Sequence, residues 1–305
     1  MIYTVTLNPS IDYVVYSEDF QLEGLNRATS TQKFAGGKGI NVSRVLQTLN
    51  TPTTALGFAG GFPGQFIREQ LESQGIEARF IETSEDTRIN IKLKTGTETE
   101  INAPGPQVTE AQFEALLQQM RETTEQDTVV IAGSMPKSLP RDAYRQIVEI
   151  LSHTGAQFVV DAEKALVESV LDYHPRFIKP NKDELEMMFD TTIQSDEDVV
   201  RCGQHILEKG AQSVIISLGG EGAIYMDAER RLKAQVPTGR AVNTVGSGDS
   251  TVAGMVAGLD QGQSIEEAFA QAVASGTATA FNDDLAEKDS IDQIRQQVQI
   301  TSIDA

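Results

Sequence analysis

The sequence predicts an α/β protein of three layers (α/β/α), with helices on both faces of a mostly parallel sheet, plus a small separate β-sheet. From about residue 109 onward, short apolar or β-branched runs alternate with helical patterns, which is typical of a parallel sheet. Earlier in the chain, the extended segments 11–16, 27–34, 87–94 and 98–102 lack the regular apolar alternation of core strands. We therefore expect these four segments to pair with one another, apart from the main body.

Each element of the first part of the chain follows from a local pattern. Residues 2–7 are apolar and β-branched, and Asn8-Pro9 ends this strand. Apolar positions repeat with helical spacing after the glycines at 36–39, and Gly75 is placed to close a second helix. A Thr-Gly-Thr turn at 95–97 predicts a hairpin. Beside the four polar segments, the expected elements are strands 2–7 and 53–58 and helices from 36 to about 50 and from 62 to 75.

The second part of the chain is more regular. Its expected strands are 128–132, 157–161, 177–179, 213–218, 223–226 and 231–236. Its expected helices are 109–124, 140–153, 163–172, 182–189, 196–209, 249–261, 264–281 and 289–300. In such a fold, ligands bind at the carboxyl ends of the strands.

Composition excludes several classes of function. A net charge of −19 argues against nucleic acid or an anionic membrane as a partner. The single cysteine, Cys202, excludes an intramolecular disulfide and fits a reducing compartment, so we expect a cytoplasmic protein. The histidines lie outside any metal-ligand pattern, and exposed or turn positions are expected for His153, His174 and His205.

The stretch from 243 to 255 carries the strongest chemical signal. Gly246-Ser247-Gly248 precedes a helix of small residues, so backbone N–H groups and the positive end of the helix dipole converge on a site for an anion. Asp249 lies in the first turn beside that site, where a carboxylate can act as a general base. The alternative is that Asp249 only caps the helix.

Other polar residues lie in loops or at helix starts, and each has a structural alternative. Lys38 stands at a helix N-terminus, where a cation is disfavoured unless it binds an anion or extends to solvent, and Asn41 follows one turn later. Asp12 can accept sugar hydroxyls or stabilise a turn. Asn181 and Glu184 can hold a hydrated Mg²⁺ or form a helix cap.

Three stretches in this order resemble the ribokinase/PfkB family of carbohydrate kinases. They are Gly-Gly-Lys-Gly-Ile-Asn at 36–41, Asn-Lys-Asp-Glu at 181–184 and Gly-Ser-Gly-Asp at 246–249. The resemblance covers the whole chain. It implies a single ribokinase-like domain over 1–305, with a β-sheet lid formed by about 11–34 and 87–102.

The resemblance also implies roles for individual residues. Asp249 would be the catalytic base, and the N–H groups of Gly246, Ser247 and Gly248 would form the anion hole. The substrate sugar and its phosphate would be bound by Asp12, Gly36, Gly37, Lys38, Asn41, Arg88 and Ser134. ATP would be bound by Lys179, Asn181, Ser217, Gly219, Gly220, Gly222, Gly248, Val273 and Thr277. Glu184 and Asn181 would hold Mg²⁺ through water.

Within the family, residues 6–12 and 87–93 are similar to the hexose-phosphate kinase branch. The second segment, Thr-Arg-Ile-Asn-Ile-Lys-Leu, resembles the 1-phosphofructokinases more than the tagatose-6-phosphate kinases. The expected reaction is therefore ATP-dependent conversion of fructose 1-phosphate to fructose 1,6-bisphosphate, with tagatose 6-phosphate as the alternative substrate. A homodimer formed through the lid is also expected. A non-catalytic sugar- or nucleotide-binding regulator is the competing hypothesis, and the intact Asp249 argues against it.

Overall fold

A computed structural model describes residues 1–303. Its strands are β1 (Ile2–Thr6), β2 (Ser10–Tyr16), β3 (Ser30–Gly36), β4 (Thr53–Ala59), β5 (Glu77–Ala78), β6 (Ile81–Glu82), β7 (Arg88–Lys94), β8 (Glu98–Ile101), β9 (Thr128–Ala132), β10 (Gln157–Asp161), β11 (Phe177–Ile178), β12 (Ser213–Ser217), β13 (Ala223–Asp227), β14 (Arg231–Gln235) and β15 (Gln299–Ser302). Its helices are α1 (Lys38–Thr48), α2 (Gly61–Ser73), α3 (Glu110–Arg121), α4 (Ala143–Thr154), α5 (Lys164–Glu168), α6 (Lys182–Phe189), α7 (Asp196–Glu208), α8 (Ser247–Asp260), α9 (Ile265–Ala280) and α10 (Lys288–Arg295).

The central sheet has the order β15-β14-β13-β12-β11-β10-β9-β1-β4-β5, with β6 paired to β4. The pairings from β12 to β5 are parallel, and those that join β12, β13, β14 and β15 are antiparallel. One apolar cluster joins the sheet to α3, α4 and α7, and a second joins its other face to α1, α8, α9 and α10. The predicted three-layer fold with a mostly parallel sheet is confirmed.

The four polar segments form a separate sheet with the order β3-β2-β7-β8. The parallel pairing of β2 with β7 places Asp12 beside Asn90. This small sheet contacts α2 and the start of α1 through an apolar cluster that includes Ile11, Ala35 and Ile67. Because β2 begins at Ser10 and β1 ends at Thr6, the small sheet begins at the same edge of the central sheet where ligands are expected.

Two predicted helices are wrong in part. The helix expected over 163–172 ends at Glu168, and a single 3₁₀ turn follows at Leu171–Tyr173. Val170 between them has φ −124°, because Val170 and Leu171 both turn into the core and packing overrides helical continuity. The helix expected over 289–300 ends at Arg295, and residues 299–302 instead add β15 to the open edge of β14.

The remaining predicted elements are confirmed to within three residues at each end. The strands β5 and β6 were not predicted, because two residues are too few to show a period. Cys202 is buried in the apolar core, whereas the three histidines are exposed, as expected. Within residues 1–303, no helix combines the length and the apolar character needed to cross a membrane.

Candidate active site

A cleft of about 450 Å³ opens where the carboxyl ends of β1 and β9 meet the small sheet and the start of α8. Twelve predicted site residues line this cleft, although they come from positions spread over most of the chain. They are Asp12, Gly37, Lys38, Asn41, Arg88, Ser134, Lys179, Asn181, Glu184, Gly246, Gly248 and Asp249. The residues predicted to bind the sugar and its phosphate therefore lie in the same cleft as Asp249 and the start of α8.

The N-terminus of α8 forms one wall of the cleft. Gly246 is its N-cap residue with φ 79°, a left-handed conformation that glycine adopts readily. The N–H groups of Gly246, Gly248 and Asp249 donate to no acceptor within residues 1–303. The N–H of Ser247 instead donates a hydrogen bond to the carbonyl oxygen of Thr244, with 3.3 Å between nitrogen and oxygen. The free donors form a backbone site for negative charge.

Lys179 approaches this wall closely. A Cβ atom at position 248 would lie only 2.9 Å from Lys179 Nζ. The lysine can therefore keep this position only because residue 248 is glycine, and any other residue would force Nζ to shift. The lysine side chain is almost fully buried. A fixed ammonium group is thus added to the backbone donors at the start of α8.

Asp249 does not cap its helix, since α8 has no side-chain cap hydrogen bond. Its Oδ2 instead accepts a hydrogen bond of 2.8 Å from Asn41 Nδ2, which reaches across from α1. Burial, together with the negative charge of Asp161, raises the pKa of Asp249 to about 6, against the opposing effects of Lys38, Asn41 and Lys179. The carboxylate is therefore ionised at neutral pH, yet it is more basic than an ordinary aspartate.

Asp161, which was not among the predicted site residues, does not line the cleft but contacts two lysines that do. It ends β10, and its Oδ1 lies 3.0 Å from Lys38 Nζ and 4.0 Å from Lys179 Nζ. Burial alone would raise the pKa of Asp161, but the two lysines hold it below its ordinary value. Burial alone would likewise lower the pKa of Lys38, but Asp161 and Asp249 raise it. The signal available in the sequence was an acidic residue at the carboxyl end of a predicted buried strand.

The wall formed by the small sheet is polar and highly connected. Asp12 Oδ1 accepts hydrogen bonds from Ser10 Oγ at 2.8 Å and from Asn90 Nδ2 at 3.2 Å. Lys92 Nζ lies 3.3 Å from Asp12 Oδ2. Gly36 ends β3 directly opposite Ser10. Asn90 and Lys92 line the cleft but were not predicted, because the polar segments gave no reason to prefer one position over another.

Arg88 joins the small sheet to the end of β1. Its guanidinium donates to the carbonyl oxygen of Asn8 at 3.0 and 3.2 Å and to that of Ala103 at 3.1 Å. Burial lowers the pKa of Arg88. Its partners are neutral carbonyls rather than a carboxylate, so its charge is available to a bound anion. Ser134, across the cleft, lies 3.5 Å from Asn8 Nδ2.

Asn181 and Glu184 form a reciprocal cap at the start of α6. Asn181 Oδ1 accepts from the N–H of Glu184 at 2.7 Å, and Glu184 Oε2 accepts from the N–H of Asn181 at 2.9 Å. The structural alternative considered for this pair is therefore present. Both side chains also line the cleft, so capping and ligand binding are compatible here.

The other residues expected to bind ATP lie outside the cleft lining. Ser217 forms a β-bridge with Asn181, and Gly219 and Gly220 lie in a 3₁₀ turn where an added Cβ would meet no atom within 4 Å. Gly222 ends that turn. Val273 and Thr277 lie one turn apart on α9, and Val273 belongs to the apolar core. Their contact with a nucleotide stays a prediction.

Comparison with known proteins agrees with this geometry. The model of the pfkB family of carbohydrate kinases matches residues 5–288. The chain belongs to the PfkB family of carbohydrate kinases. The 1-phosphofructokinase of Bacillus subtilis is 46% identical over 303 residues, which cover 99% of this chain and 100% of that protein. The tagatose-6-phosphate kinase of Staphylococcus epidermidis is 36% identical over 313 residues, covering 99% of this chain and 100% of that protein.

A crystal structure from Staphylococcus aureus, of a protein provisionally named a phosphofructokinase, has the same fold. It is 66% identical to this PfkB-family chain, covers 100% of both chains and superimposes with a TM-score of 0.91. Family membership makes the protein a carbohydrate kinase. The cleft that contains Asp249 is the candidate site of phosphoryl transfer.

Proposed function

We propose that this kinase transfers the γ-phosphoryl group of ATP to fructose 1-phosphate and so forms fructose 1,6-bisphosphate. The observation that carries the proposal is the pairing, in one cleft, of the buried Asp249 with the free N–H groups at the start of α8. The 46% identity to a 1-phosphofructokinase supports fructose 1-phosphate as the acceptor. The 36% identity to a tagatose-6-phosphate kinase keeps tagatose 6-phosphate as the second candidate.

Asp249 is the general base in this proposal. Its carboxylate takes the proton of the acceptor hydroxyl as that oxygen bonds to the γ-phosphorus, while the bond from this phosphorus to the bridging oxygen breaks and ADP leaves with that oxygen. Asn41 orients the carboxylate. The N–H groups of Gly246 and Gly248 stabilise the negative charge on the transferred group, and Lys179 adds its positive charge beside them. Most of the catalysis then comes from positioning and charge stabilisation.

The phosphate already present on the sugar is assigned to the cations at the other end of the cleft. Lys38 and Arg88 both line the cleft, and Ser134, which also lines it, offers a hydroxyl donor. Arg88 is half-buried and has no carboxylate partner within residues 1–303, which favours a bound anion. Asp12 faces the same space and can accept hydrogen bonds from the sugar hydroxyls.

ATP and Mg²⁺ are assigned to the side of the cleft near α6. Asn181 and Glu184 use one oxygen each in the cap, so Glu184 Oε1 remains for the water shell of a metal ion. Such a pair fits Mg²⁺, which keeps several of its waters. Lys179 and Asn181 would orient the phosphates, whose negative charge a bound Mg²⁺ would help to neutralise. Ser217, Gly219, Gly220, Gly222, Val273 and Thr277 complete the proposed nucleotide site.

The small sheet is proposed to act as a lid that excludes water and as the contact between two copies of the chain. Large apolar side chains are exposed on it or on the connection between β2 and β3, including Leu22 at 85% and Leu25 at 81%. Ile91 and Ile101 are also exposed. Burial of these side chains in a dimer would remove apolar surface from water. A monomer in sedimentation equilibrium at micromolar concentration would contradict this part of the proposal.

A substrate panel tests the proposed function. Purified protein is assayed with ATP and Mg²⁺ on fructose 1-phosphate, tagatose 6-phosphate, fructose 6-phosphate and unphosphorylated fructose. We expect the highest kcat/KM on fructose 1-phosphate. An equal or higher value on tagatose 6-phosphate would select the second candidate. Preference for unphosphorylated fructose would contradict the assignment of Lys38 and Arg88 to a sugar phosphate.

A further inference from the structure

Asp161 combines deep burial with incomplete pairing. Its side chain is 2% exposed, and its Oδ1 accepts a hydrogen bond of 3.0 Å from Lys38 Nζ. Its second oxygen, Oδ2, is buried and has no hydrogen-bond partner within residues 1–303. A buried carboxylate with an unsatisfied oxygen is costly to fold, which is unusual for a residue with only a structural role.

The two lysines near Asp161 face different parts of the cleft. Lys38 lies against Gly133, where a Cβ atom would be 3.6 Å from the lysine Cβ, and it reaches the region assigned to the sugar phosphate. Lys179 lies against Gly248 at the start of α8. Asp161 thus sits between the cation assigned to the acceptor and the cation assigned to the transferred group.

Lysine side chains are flexible and lose considerable rotamer freedom when they are fixed. Lys38 has 38% of its side chain exposed, so packing restrains it only partly, and its hydrogen bond to Asp161 is the specific contact that fixes Nζ. The partners come from α1 and from the end of β10, 123 positions apart. Only the folded sheet brings them together.

We propose that Asp161 is a positioning residue, which holds Lys38 Nζ, and more weakly Lys179 Nζ, where the anionic groups of the substrates bind. The proposal rests on the proposed function. The role of Asp161 is nevertheless separate from that of Asp249, because Asp161 acts through the lysines and takes no part in the proton transfer to Asp249. The charged and titratable groups around Asp161 are Lys38, Lys179, Asp249 and Tyr144.

The first test is Asp161→Asn, which keeps the shape of the side chain and removes its charge. The sugar-phosphate KM is expected to rise roughly tenfold, with a smaller change in kcat and no change in the Mg²⁺ concentration that gives half-maximal activity. The matched control is Asp127→Asn at the opposite edge of the sheet, for which all three quantities are expected to stay at wild-type values. A purely structural role would lower the amount of folded protein without this selective change in KM.

A double-mutant cycle tests whether Asp161 acts through Lys38. We expect Lys38→Ala to raise the sugar-phosphate KM, and Asp161→Asn added to Lys38→Ala to raise it no further. Fully additive effects would overturn the proposal. A changed Mg²⁺ requirement with an unchanged sugar-phosphate KM would also overturn it, because Asp161 would then act on the metal.

A measurement on the unmodified enzyme covers the case in which Asp161→Asn does not fold. In crystals grown with fructose 1-phosphate, Lys38 Nζ is expected within about 3.5 Å of both Asp161 and the sugar phosphate. A Lys38 that leaves Asp161 on binding would overturn the proposal. Failure of the proposed function is distinguished by the substrate panel on wild-type protein, which would then prefer tagatose 6-phosphate or unphosphorylated fructose to fructose 1-phosphate.

Discussion

Two aspartates on opposite edges of the central sheet show how differently the same side chain is treated in this fold. Asp127 precedes β9 at the amino edge, where its Oδ2 accepts from the N–H and hydroxyl of Thr124 at 2.7 and 2.9 Å. Its Oδ1 lies 3.0 Å from the ammonium group of Met1. Asp249 lies at the carboxyl edge and accepts one side-chain hydrogen bond, from Asn41.

The pKa values of the two carboxyl groups move in opposite directions. Burial would raise the pKa of Asp127, but the N-terminal ammonium and Thr124 together hold it below its ordinary value. Burial and Asp161 raise the pKa of Asp249 to about 6. The surroundings of Asp127 thus stabilise its negative charge, whereas those of Asp249 make its negative charge unfavourable in the ligand-free protein. The second arrangement suits the role of general base that we propose for Asp249.

Replacement of Asp249, the proposed base, should have the largest effect on catalysis, and the same replacement at Asp127 should have none. Asp249→Asn is expected to lower kcat about 10³-fold or more and to leave the sugar-phosphate KM nearly unchanged, because the proton acceptor is lost and the binding cations remain. Steady-state kinetics of both variants measure this, with Asp127→Asn as the control at wild-type kcat. Near-normal turnover by Asp249→Asn would show that another group takes the proton.

The cation at the carboxyl edge should have the next largest effect. Lys38→Ala is expected to raise the sugar-phosphate KM about 10- to 100-fold, because a charge-assisted contact to phosphate is lost, and to change the ATP KM much less. Lys38→Arg, which keeps the charge, is the matched control and should lose less affinity. An ATP KM that rises as much as the sugar KM would place Lys38 on the nucleotide instead.

The free energy of unfolding should rise in Asp249→Asn, whereas it should fall in Asp127→Asn. An unfolded aspartate ionises near pH 4 and the folded Asp249 near pH 6, so above pH 6 the native state carries a charge that the unfolded state accommodates better. We expect the ligand-free variant to be more stable by about 1 to 3 kcal/mol at pH 7. The gain should disappear as the pH falls to 4.

Chemical denaturation at several pH values measures this gain. A variant less stable than the wild type at pH 7 would show that the ionised Asp249 is stabilised in the native state. The comparison of the two edges would then fail.

Asp127→Asn should give the smallest effect, and it should be destabilising. The pKa of Asp127 is depressed in the folded protein, so its contribution is present above the ordinary aspartate value and is lost as the pH falls through the folded value. A loss of about 1 kcal/mol is expected at pH 7, because the hydrogen bonds to Thr124 and the ion pair to Met1 are weakened. The same denaturation series should show this loss shrinking below about pH 3.8.

Local patterns predicted much of the fold and part of the site. Glycines mark the starts of α1 and α8, so Lys38 and Asp249 could be placed at helix N-termini from sequence. The polar character of the four extended segments predicted a separate sheet. The family resemblance then implied roles for Lys38 and Asp249 and identified the separate sheet as a lid.

What the sequence did not reveal depends on contacts between distant segments. Asp161 ends an ordinary buried strand, and nothing near it in sequence shows that Lys38 lies 3.0 Å away. Asn90 and Lys92 alternate within a polar strand, and only the register of β7 against β2 places them beside Asp12. β15 exists because β14 has an open edge, which no local period can show.

The hydrogen bond between Asn41 and Asp249 also bears on how the protein matures. It joins residues 208 positions apart, and the neighbouring Lys38–Asp161 contact spans 123 positions. Closing such long loops is slow and requires most of the chain to be in place. Enzymatic activity should therefore return after secondary structure when the denatured chain is refolded. A nascent chain would gain a working cleft only once α8 has left the ribosome and docked against α1.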